Sequence, residues 1–116
     1  MVLGAARVEL LVHGSRSLKE KRGVVRSITQ RVRNRFNVSV AEVGGQDTWQ
    51  RVELGITSAG SDGPAVRARL EKALDFIEEL HLAEVVGQEI EVLATPLADY
   101  ASLPDELDDE DDAEEA

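Results

Sequence analysis

The 116-residue chain has no cysteine, which excludes disulfides, thiolate metal ligands and cysteine nucleophiles. Aromatic residues are scarce, with one Trp, one Tyr and two Phe. No apolar run approaches the length needed to cross a bilayer. The N-terminus lacks a charged segment followed by an unbroken apolar stretch, so a cytoplasmic protein without a membrane partner is expected. Phosphate-loop, dinucleotide-fingerprint and hydrolase-elbow motifs are missing as well. His13 and His81 stand alone, with no second nitrogen or sulfur ligand at metal spacing, and neither a metal nor another cofactor is expected. Ser15 and Ser17 read as loop and cap residues, with no nucleophile arranged beside His13.

What the chain has is charge, unevenly placed. Its net charge is −10, but nine carboxylates between Asp105 and Glu115 supply most of that. Residues 1–51 hold ten Lys or Arg against Glu9, Glu20, Glu42 and Asp47, whereas residues 52–104 hold only Arg67, Arg69 and Lys72 against ten acids. A positive region and a separate negative one follow. The stretch beyond Leu103 carries almost no large apolar group to repay ordering entropy. The expected organisation is one domain over residues 1–97 and an acidic, disordered tail over 98–116.

Within the domain, alternation over Ala6 to Val12 predicts a strand with Val8, Leu10 and Val12 on its core face. Ser17 followed by Glu20 forms a capping-box pattern that starts a helix, along which Leu18, Val25, Ile28, Val32 and Phe36 mark the apolar stripe. That helix should close near Asn34 to Asn37, with an Asn in the left-handed conformation. Val38 to Val43 reads as a second strand and Gly44 to Asp47 as a turn. Gln50 to Ser58 reads as a third strand, and a helix capped by Asp62 or Gly63 carries Val66, Leu70, Ala73, Leu74, Ile77 and Leu80 inward. Gly87 closes a connection to a last strand over Glu89 to Leu93, with Ile90, Val92 and Ala94 as its core set. The order β-α-β-β-α-β predicts an α+β, ferredoxin-like sandwich: a four-stranded antiparallel sheet with two helices on one face.

The open face of such a sheet would present Arg7, Glu9, Leu11, Arg51, Glu53, Gly55, Thr57, Glu89, Glu91 and Leu93. It offers no aromatic platform for stacking bases and suits a protein interface or a solvated surface. On the first helix, Lys19, Arg22, Arg26 and Arg33 share one flank and could track phosphates; the alternative is an ordinary solvated helix face. Lys21 falls near the apolar stripe and is expected to snorkel. The segment Glu42 to Arg51 gathers Glu42, Gln46, Asp47, Trp49, Gln50 and Arg51 around a double glycine, either a recognition spot or a turn whose Trp covers one end of the core.

The motifs SLKEKR at 17–22, RFNVSVAEV at 35–43 and QDTWQR at 46–51 together resemble the YlxP-like family of small bacterial proteins. The resemblance spans residues 1 to about 96 and implies a ferredoxin-like fold. It also implies a genomic setting beside genes for transcription elongation, translation initiation and ribosome maturation, with no established activity. Lys19, Lys21, Arg22, Glu42, Asp47, Trp49, Gln50 and Arg51 match its signature. Three functions stay open at this point. The first is a non-enzymatic accessory protein that binds RNA or a ribonucleoprotein such as the ribosome through Lys19, Arg22, Arg26 and Arg33, with Trp49 and Arg51 adding a more specific contact. The second is a homodimer formed through the open sheet or a sheet edge. The third is an enzyme acting on a small anionic metabolite in a cleft near Lys21 and Glu42.

Overall fold

The structure, a computed structural model, describes residues 1–46 and 48–95. Strand β1 (Val2–Leu11) leads into helix α1 (Leu18–Arg35), followed by β2 (Ser39–Gly44), β3 (Arg51–Gly60), α2 (Gly63–Leu80) and β4 (Glu84–Ala94). The sheet order is β2-β3-β1-β4, with every neighbouring pair antiparallel. This is the expected ferredoxin-like sandwich. Helix α2 lies over β1, β3 and β4, while α1 packs against β2 and α2. The acidic tail and Asp47 lie outside the described residues.

The core is aliphatic and draws on one face of each strand. Val8 and Leu10 of β1, Val52, Leu54 and Ile56 of β3, and Val40 of β2 are buried under Ile28 and Val32 of α1 and Val66, Leu70, Ala73 and Ile77 of α2. Each fully buried Leu or Ile contributes about 1.5–3 kcal/mol relative to exposure. Gly4 faces the helices from β1, and a Cβ there would stand 2.5 Å from Val66 Cγ1 and 2.7 Å from Leu70 Cδ1. The missing side chain lets α2 settle against the start of β1.

Several boundaries differ from the sequence expectation. β1 begins at Val2, four residues before the alternation becomes clear, because Val2 to Ala5 pair with Gly60 to Thr57 on one side and Ala94 to Glu91 on the other. The Ser17 hydroxyl accepts from Glu20 N at 3.1 Å as predicted, but the Glu20 carboxylate reaches Arg16 N rather than Ser17 N. Helix α1 does not close on a left-handed Asn: Phe36 caps it in extended backbone (φ −126°), with its N–H donated to Val32 O. Phe36 then packs edge-on against Phe76, and the Arg35 guanidinium lies 5.0 Å from the Phe76 ring centre. The left-handed cap belongs to α2 instead, at His81 (φ 54°). Gly87 ends no connection; it sits inside β4 opposite Glu9, beside a bulge, and Ala94 is exposed rather than in the core.

Candidate functional site

Helix α1 offers its solvent side as the first candidate surface. Arg22, Arg26 and Arg33, with Thr29 and Gln30, line one shallow groove of about 350 Å³ whose floor includes Val25. The helical repeat explains the grouping, since residues four and seven apart return to one side of the cylinder. Arg22 and Arg26 make no ion pair or side-chain hydrogen bond among the described residues. Arg33 is partly engaged: its Nη2 donates to Val40 O at 2.6 Å and ties the end of α1 to β2. Lys19 is exposed and lies outside the groove.

Lys21 does not snorkel. It is 2 % exposed, and its ammonium donates to Gly45 O at 2.5 Å and Arg51 O at 3.3 Å, with Glu42 Oε2 at 3.6 Å. Position 21 lies three residues after Leu18 and four before Val25, so its stem takes a place in the apolar stripe. Its head meets the carbonyls that the β2–β3 connection turns inward. Gly45 is left-handed there (φ 79°), and a Cβ would come within 2.5 Å of Arg51 O, so the turn requires glycine. Lys21 therefore fastens the first turn of α1 to this loop, and its charge is not free to hold a small anion. Among the described residues Glu42 Oε2 is buried without a hydrogen-bond donor, and the Lys21 ammonium is its compensating charge.

Trp49 and Arg51 stand elsewhere. Trp49 is 55 % exposed and covers no part of the core; it borders a shallow concavity with Leu11, Thr48, Gln50 and Arg51. Leu11 and Arg51 both point to the face of the sheet opposite the helices, so this patch is separate from the α1 groove. The Arg51 guanidinium is held by Glu9, and Gln50 Nε2 donates to Ser15 O at 3.4 Å. Of the residues singled out by sequence, the structure brings Arg22, Arg26 and Arg33 together on α1, and Lys21 and Glu42 beneath the loop. It leaves Trp49 and Arg51 at one end of the open sheet.

That open sheet is a ladder of charges and small residues. Arg7 sits between Glu89 and Glu53 and bonds both; these hydrogen bonds, Glu89 first, hold its pKa above the ordinary arginine value. Glu9 and Arg51 form the neighbouring pair. At the far end, Leu3 and Leu93 rise beside a concavity of about 580 Å³ floored by Ala5, Thr57 and Ala59. Sequence reasoning found the face but not this bowl, because Val2 to Ala5 carries too little alternation to be placed in the sheet.

Comparison with known proteins gives a consistent picture. Residues 3–90 match the model of a family described as protein of unknown function, DUF503. The chain is 43% identical over 77 residues to the uncharacterized protein YlxP of Bacillus subtilis strain 168, covering 66% of this chain and 84% of the relative. Among solved structures it resembles the structural-genomics protein YJCS, with a TM-score of 0.51 and 12% identity over 79% of this chain and 99% of that one, a likeness of fold alone.

Proposed function

The chain belongs to the DUF503 family, proteins of unknown function, and from that premise we propose that it is a small accessory protein that binds the phosphate backbone of structured RNA through the solvent side of α1. One observation carries this reading. The cations on the sheet and under the loop are already engaged, Arg7 and Arg51 by carboxylates and Lys21 by carbonyls and Glu42, whereas Arg22 and Arg26 are unpaired among the described residues. They lie in one groove beside Thr29 and Gln30, which can donate hydrogen bonds to phosphate or ribose oxygens. Their guanidiniums start about 6 Å apart along the helix axis, a separation that lets both engage one strand. A guanidinium also grips phosphate through paired donors, which suits arginine to this task. The genomic setting implied by the resemblance favours RNA over other polyanions. Recognition on this surface is of backbone and shape, since the groove contains no aromatic ring to stack a base.

The test is fluorescence anisotropy with a labelled ribosomal RNA hairpin fragment, across a salt series, for the full chain and for the double variant Arg22→Glu/Arg26→Glu. The full chain should bind with an affinity that falls steeply with salt, and the double variant should lose binding at least about tenfold with a salt slope lower by about 2. Its circular dichroism should be unchanged, because both positions are exposed. Equal binding by the two proteins, or none by either, would overturn the proposal.

A further inference from the structure

We infer that the uncovered face of the sheet is the interface of a homodimer, in which each copy sets Leu3 and Leu93 into the small-residue bowl of the other. A ferredoxin-like sheet with both helices on one side has a second side that water must wet unless something covers it. Here that side carries three of the described chain's exposed large aliphatic residues: Leu3 (40 % exposed), Val43 (53 %) and Leu93 (53 %). Single exposed leucines are unremarkable, but these share one surface.

Three properties of this face fit a second copy of the same chain. First, it contains both the projection and its receptacle. Leu3 and Leu93 rise at the rim of a concavity of about 580 Å³ whose floor is Ala5, Thr57 and Ala59, side chains too small to fill it. A surface holding both halves of a fit is self-complementary, the condition for an isologous two-fold contact. A two-fold axis along the strands lays β4 of one copy across β2 of the other and carries each Leu93 toward the partner's Ala59 and Asn37.

Second, every arginine in the middle of the face is already held within one chain. Arg7 joins Glu53 and Glu89, and Arg51 joins Glu9, so covering the face strands no lone cation; the three carboxylates exceed the two arginines by one, and Glu89, on the edge strand β4, is the exposed one of the three. Glu91 lies at the rim on the edge strand, where it keeps contact with water. Third, the size is adequate. Four strands of six to eleven residues present a flat area on the order of 600 Å². Side-chain relief and the Leu11–Trp49 end bring this toward the about 800 Å² per partner of a standard specific interface. The two α1 grooves face outward in such a dimer, so this inference stands or falls independently of RNA binding.

The decisive measurement is the mass of the full chain by light scattering over a wide concentration range, together with Leu93→Glu, Thr57→Arg and, as a control on the other surface, Arg22→Glu/Arg26→Glu. The expected result is twice the 12.7 kDa chain mass for the wild type and the control, and a single chain mass for Leu93→Glu and Thr57→Arg. Both single substitutions replace exposed residues, so circular dichroism should match the wild type; two positions keep the test valid should one of them fail to fold. A wild-type chain that is monomeric throughout, or folded Leu93→Glu and Thr57→Arg variants that keep the doubled mass, would overturn the inference.

Discussion

Lys21 shows how one side chain can join two elements that sequence places far apart. Its four methylenes fill a gap in the apolar stripe while the ammonium binds carbonyls from residues 24 and 30 positions downstream. Replacing it with Met keeps the stem and removes the charge, leaving Glu42 uncompensated, while Gly45 O and Arg51 O keep only Thr48 as their donor among the described residues. Since Glu42 is partly solvated, the cost should fall near about 2 kcal/mol rather than at the upper end for a broken buried pair. Urea denaturation of Lys21→Met should show it, and amide exchange should quicken around Gly44 to Gln50 first. Unchanged stability would mean that the loop is held by its own turn. The sequence announces the position, a lysine within an apolar stripe, but not the receptacle, because the carbonyls that receive it are backbone groups of a turn whose path depends on the register of β2 and β3.

At the level of elements, those that mix alternation with explicit caps were legible in advance. Ser17 and Asp62 start the two helices as expected, each accepting a backbone N–H three residues on. Segments held only by neighbours were not legible. Val2 to Ala5 contains Gly4 and Ala5, poor strand formers by themselves, and becomes a strand because it fills the slot between β3 and β4. The start of β4 was hidden for a related reason: Gly87 and the bulge near it break the alternation that marks Glu89 to Leu93. The end of α1 departs from the left-handed Asn cap that its sequence predicts: the chain leaves in extended form at Phe36, whose ring packs edge-on against Phe76. For the candidate sites, the basic flank of α1 could be read directly from helical spacing, while the bowl could not. Gly4 supplies the prediction at this scale. Gly4→Ala places a Cβ against Val66 and Leu70 and should destabilise the domain by about 1–3 kcal/mol, measured as a lower midpoint in thermal or urea unfolding. A midpoint at the wild-type value would show that α2 can shift without cost.

For the molecule as a whole, charge is the governing property. The basic flank of α1 belongs to a chain of net charge −10, of which nine negative charges lie between Asp105 and Glu115. A version ending at Leu103 should therefore bind the RNA hairpin more tightly than the full chain at low salt, and the difference should vanish as salt screens the acidic residues. Anisotropy titrations of both versions would decide it, and equal low-salt affinities would show that the acidic segment exerts no influence on the groove. The strand order has a different consequence. β1 is the first strand in the chain, yet it is a central one, flanked by β3 and by β4, and Val2 pairs with Ala94. β1 can pair with β3 before β4 has been made, but its other edge has no partner in this sheet until Glu84–Ala94 emerges, and that strand also brings its own contacts with α2.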